Sequence, residues 1–71
     1  MSGAVKLPAE GASQVEIDYE VGQLVEFEDD RHGVITSVRE DNYGGGRTAK
    51  IWSVKLEGGG WRALFRILTI Q

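Results

Sequence analysis

From residue 15 onward, apolar residues recur at every second position over most of the chain. Val15, Ile17, Tyr19 and Val21 alternate with Glu16, Asp18 and Glu20, the period of a half-buried strand. Gly22 interrupts, and QLVEFED, residues 23–29, resumes with Val25 and Phe27 on one face and Glu26 and Glu28 on the other. DDRHG, residues 29–33, is a cluster of loop-closing residues. GVITSVRE, residues 33–40, is β-branched and apolar and predicts a strand. DNYGGGRT, residues 41–48, predicts a loop. KIWSVKLE, residues 50–57, sets Trp52, Val54 and Leu56 against Ile51, Ser53 and Lys55. GGG at 58–60 predicts a tight hairpin, WRALF at 61–65 another strand, and RILTI at 66–70 a short closing strand.

No ten-residue window keeps a helical period. The fold class expected is therefore all-β: a small barrel of five or six short antiparallel strands. Residues 1–14 read as a flexible tail, because they are small and polar around Pro8 and bury little. The barrel is expected over residues 15–71. A chain of 71 residues is one domain with a modest core, burying about 60% of its unfolded surface.

Both glycine triplets raise the question of phosphate binding. A phosphate-cradling loop aims its backbone N–H groups, and the start of a following helix, at the anion. Here a strand follows each triplet, so both are read as hairpin turns, and 58–60 as one that needs positive φ.

Charge changes the picture in one respect. The net charge is −3, but residues 1–30 hold eight acids and one base, and residues 31–71 three acids and seven bases. A nucleic-acid interface would draw on the basic second half, at Arg39, Arg47, Lys50, Arg62 and Arg66. An acidic total does not favour a dedicated DNA binder. With no cysteine and only His32 as an imidazole, neither disulfides nor a zinc site is expected. The acids Glu26, Glu28, Asp29 and Asp30 lack a calcium-loop pattern, and no cofactor is expected. A serine triad could be written only from Ser37 or Ser53 with His32 and Asp30, and nothing in the pattern positions it. No catalysis is expected. No stretch suits a signal peptide or a membrane span, so a soluble cytoplasmic protein is expected, monomeric or weakly self-associating.

Phe27, Trp52 and Phe65 fall on the apolar phase and are expected in the core. Tyr43 and Trp61 each abut a glycine loop and are the exposed aromatic candidates. With Arg47 and Arg62 they form the expected partner-binding set, and the expected partner is another protein.

The skeleton Val21-Gly22, Val25, Gly33, Ile35, Val38, Val54, Leu56, Gly60 and Leu64 resembles SH3-like barrels of the Tudor and KOW kind. It is most similar to the C-terminal Tudor-like domain of bacterial superfamily 1 DNA helicases. There a "V-G-D-x-V" segment leads to a glycine-started strand, and a "V-x-F-x-x-G" run leads to a Leu-containing strand. Gly22, Val25, Gly33, Val54, Leu56 and Gly60 match. The likeness spans about 50 of the 71 residues and is one of structural positions, which fix fold rather than function. It departs at Gln23, where the family has an acid, and at Glu26, Glu28, Asp29 and Asp30, where bases are usual. The resemblance implies a docking module, and the small size of the chain adds the expectation of an adaptor or accessory subunit, or of a phage or mobile-element protein acting on a host machine.

Overall fold

The computed structural model describes residues 6–9, 12–42 and 44–69. Five strands form one curled, half-barrel sheet: β1 (Ala12–Gln14), β2 (Leu24–Glu26), β3 (His32–Asn42), β4 (Arg47–Leu56) and β5 (Trp61–Thr69). Their order across the sheet is β1-β5-β4-β3-β2. Among the described residues no helix is long and apolar enough to cross a membrane.

The meander β2 to β5 is antiparallel throughout, and its phase is the one the alternation predicts. Val25, Ile35, Trp52, Val54, Leu56 and Leu64 point to the inner side and, with Phe27, make the core. Residues opposite one another in register share a face, so Trp52 and Leu64 meet across β4 and β5. A bulge between Ile35 and Ser37 adds one residue to β3 and helps the sheet curl. The β4–β5 hairpin turns through Gly58, Gly59 and Gly60, with φ of 88°, 111° and 103°, values that only glycine adopts cheaply. Arg31 fixes this hairpin from outside the turn, donating to the carbonyls of Glu57 (3.1 Å) and Gly59 (2.6 Å).

Several expectations need correction. WRALF and RILTI are one continuous strand, β5, and β3 runs on through Asn42. Not every strand is antiparallel: β1 pairs with β5 in parallel, Ser13 opposite Leu64. The expected tail through residue 14 therefore misdescribes part of that segment. Leu7 is buried in the core beside Phe27, its N–H donating to the Glu26 carbonyl and its carbonyl accepting from Glu28. Val15–Val21 is not a strand. Val15 donates to the Phe65 carbonyl at one edge of the sheet, and Gly22 donates to Ile35 at the other. Between those anchors the chain crosses the inner side as a strap. Trp52 donates its indole N–H to the Tyr19 carbonyl (2.8 Å), and Asp18 holds both Lys50 (3.3 Å) and Arg66 (2.8 Å).

Candidate docking surface

The register fixes where each cation stands. Positions 50, 52 and 54 of β4 share the inner face, opposite Arg66, Leu64 and Arg62 of β5. Arg62 is thus an inward residue, and its charge is met inside. Its guanidinium lies 4.7 Å from the Phe27 ring centroid and donates to both oxygens of Asp29, at 3.2 and 2.6 Å. Arg62, one of the expected partner-binding residues, is therefore largely covered, and its charge is met by Asp29 in the turn between β2 and β3. Lys50 lies over the Trp52 ring and is tied, like Arg66, to Asp18. Arg39 stands on the opposite, outer face, opposite Ile51 and 3.7 Å from Asp41. Arg47 is exposed where β4 begins. The five expected nucleic-acid contacts therefore do not make one face. Tyr43 lies outside the described residues.

The Asp29–Arg62 pair carries a pH signature. The guanidinium holds the Asp29 carboxyl at about 2, against an ordinary 3.8, by donating to it directly. Asp18 is lowered in the same way, first by Arg66 and then by Lys50. A carboxyl whose pKa is lower folded than unfolded contributes stability above the unfolded pKa, and that contribution fades as pH falls through the folded one. The thermal midpoint is expected to drop as pH falls from about 4 to about 2, and D29N to flatten that slope. An identical pH profile for D29N, followed by circular dichroism, would remove the pair from the account.

Trp61 is where the sequence reading and the structure agree. It is 61% exposed at the start of β5, on the outer face. The register continues its row across the sheet: Trp61 opposite Lys55, Lys55 opposite Val34, Val34 opposite Leu24. At about 4.8 Å per strand the row spans about 14 Å. Leu24 at its far end is 77% exposed. Beside the row runs a groove of about 410 Å³, lined by Leu24, Val34, Lys55, Gly58 and Gly59, with His32 and Glu57 among its polar groups. Lys55 has no acidic partner within ion-pair distance among the described residues.

The next rows of the outer face are Ser53 with Ala63, then Ile51 with Phe65. Phe65, expected in the core, is half-buried on this outer side because its phase is opposite to that of Leu64. The small Ser53–Ala63 row leaves the surface flat between two apolar rows. Leu24, Val34 and Lys55 were not among the expected site residues. A signal existed: with Val25 and Phe27 inward, a leucine at 24 must face out.

The triad residues are dispersed. His32 contacts the Glu57 carboxylate, Asp30 pairs with Lys6 (3.2 Å), and Ser37 stands opposite Ser53. Among the described residues no group of three or more His, Asp or Glu could hold a metal ion. No protein family, curated protein or solved structure matches this chain.

Proposed function

We propose that this chain is a non-catalytic protein-docking module, an adaptor or accessory subunit on an SH3-like barrel of the Tudor or KOW kind. One observation carries the reading: Leu24 and Trp61, the two most exposed large apolar residues among the described ones, sit at the ends of a single cross-strand row. Between them lie Val34 and an unneutralised lysine. An aromatic anchor with an apolar flank is the composition of an interface centre, and the lysine between them supplies a charge that a complementary partner would meet. The curled meander and its glycine hairpin support the barrel type. The nucleic-acid alternative draws less support. Arg39, Lys50, Arg62 and Arg66 each have an aspartate of the same chain within ion-pair distance, which among the described residues leaves Arg47 alone of the expected five to neutralise phosphates.

The test is affinity capture from lysate with the wild type, W61A, L24D and, as a control outside the row, E40A. A partner held by the wild type and E40A is expected to bind W61A and L24D more weakly by tenfold or more, as hot-spot truncation costs about 2 kcal/mol. Equal capture by all four proteins would sink the reading.

A further inference from the structure

A second apolar groove, of about 620 Å³, runs along the outer edge of β2. Leu7, Ile17, Tyr19, Leu24 and Val25 line it, with Glu26 and His32 among its polar groups. We propose that this groove receives an extended, lysine- or arginine-bearing peptide segment of a protein partner. The proposal rests on the docking reading and gives the partner its chemistry.

The cationic character follows from how the acids divide. Each described aspartate has a cation: Asp18 has Lys50 and Arg66, Asp29 has Arg62, Asp30 has Lys6, and Asp41 has Arg39. Glu16, Glu20, Glu26 and Glu28 have none within ion-pair distance among the described residues. Glu16, Glu20 and Glu26 belong to the segments that line the groove and Glu28 follows β2 directly, while Glu40 on β3 is likewise without a cation among the described residues. Glu26 is part of its lining. Glu16 and Glu20 bracket Ile17 and Tyr19 on the strap, and Glu28 donates its backbone N–H to Leu7. The uncompensated Glu26 carboxylate in the lining, with Glu16, Glu20 and Glu28 adjoining lining residues or following β2 in the chain, selects an occupant that is positive and partly aliphatic. Lysine and arginine meet both demands, with apolar stems and charged ends.

The extended form follows from the backbone. Gln23 and Phe27 bond towards β3, through Ile35 and Arg31, and Val25 stands opposite Gly33 between them. The amide groups of Leu24 and Glu26, one residue out of phase, therefore face the outer edge. The Glu26 carbonyl takes Leu7. The N–H and C=O of Leu24 and the N–H of Glu26 have no protein partner among the described residues. An extended chain in the groove would satisfy them while its alternate side chains met the trough, as in strand addition to a sheet edge.

The test titrates the ¹⁵N-labelled full chain with three probes: a short peptide alternating lysine and valine, its glutamate counterpart, and spermine. The lysine peptide is expected to shift the amides of Ile17, Tyr19, Leu24 and Glu26. E26K is expected to weaken it tenfold or more, and E26Q by less. Glu26 is exposed, and a dispersed spectrum of each variant checks that it folds. The glutamate peptide is expected to leave the spectrum unchanged. Failure of the lysine peptide to shift those amides, or equal shifts from spermine, would overturn the proposal. Either result can coexist with capture that depends on Trp61, so this failure and failure of the docking reading are distinguishable.

Discussion

W52A is expected to leave little folded protein. Trp52 is completely buried and is the largest side chain in the core. Truncating a buried Trp costs about 3–5 kcal/mol in transfer and cavity terms. Two further interactions go with it. Its ring meets Tyr19 edge to face at 5.6 Å, a geometry worth about 0.5–1.5 kcal/mol beyond area. Its indole N–H donates to the Tyr19 carbonyl, a contribution of about 1 kcal/mol. A 71-residue domain has about 4–11 kcal/mol of stability in all. The loss therefore takes about half or more of it, and it also removes one of the strap's ties to the sheet, since Tyr19 meets Trp52 through both its ring and its carbonyl. W52F keeps most of the ring and loses the donor, and is expected to fold with a loss of about 1–3 kcal/mol. Urea denaturation followed by far-ultraviolet circular dichroism checks both. A W52A midpoint close to that of the wild type would show that the core is not centred here.

G33A is the second large effect, and its cause is contact rather than conformation. Gly33 is buried in β3, opposite Leu56. An added Cβ would lie 2.5 Å from the Lys55 carbonyl oxygen and 2.8 Å from Val54 Cγ1. The first of these is backbone, so relief requires β3 and β4 to move apart where they carry the core. Overpacking of this kind costs about 1–3 kcal/mol. The neighbouring positions also hold the docking row, since Val34 and Lys55 follow directly from this crossing. G33A is expected to lower the urea midpoint and to shift the amide signals of Val34 and Lys55 together. G59A makes the contrast. Its added Cβ meets nothing within 4 Å, so its cost is the backbone strain of positive φ, about 1–2 kcal/mol, confined to the hairpin. A G33A protein as stable as the wild type would mean that the strands do not approach this closely.

Much of the sheet was legible because period two states which side of a strand is buried. Trp52, Val54 and Leu56 form such a run, and the three positive-φ glycines after them form the turn the triplet predicts. Val25 and Phe27 set the phase of β2 in the same way. The strap was misread for a physical reason. Residues 15–21 do alternate, but alternation says only that successive side chains face opposite ways. Whether a sheet partner exists depends on distant residues. Here Asp18 reaches Lys50 and Arg66 far along the chain, and that reach carries the segment over the sheet instead of into it. Strand β1 was missed because Ala12, Ser13 and Gln14 carry no β signature; the exposed edge of β5 recruits them. Arg62 held a clue in its parity with Leu64. An arginine on the inward phase needs a carboxylate, and Asp29, in the expected acidic cluster, supplies it. Trp61 was legible beside its glycines. The row it belongs to became visible only once the register aligned four strands.

The docking row is tested most directly by the amide and indole shifts of the ¹⁵N-labelled chain on addition of a captured partner. The two tryptophans provide internal contrast, because Trp52 is sealed in the core while Trp61 is exposed. Broadening or shifts at the Trp61 indole and at Leu24, Val34 and Lys55, with the Trp52 indole little changed, is the predicted result. Shifts confined to Arg39 and Arg47 around the β3–β4 hairpin, with the Trp61 indole unmoved, would contradict it.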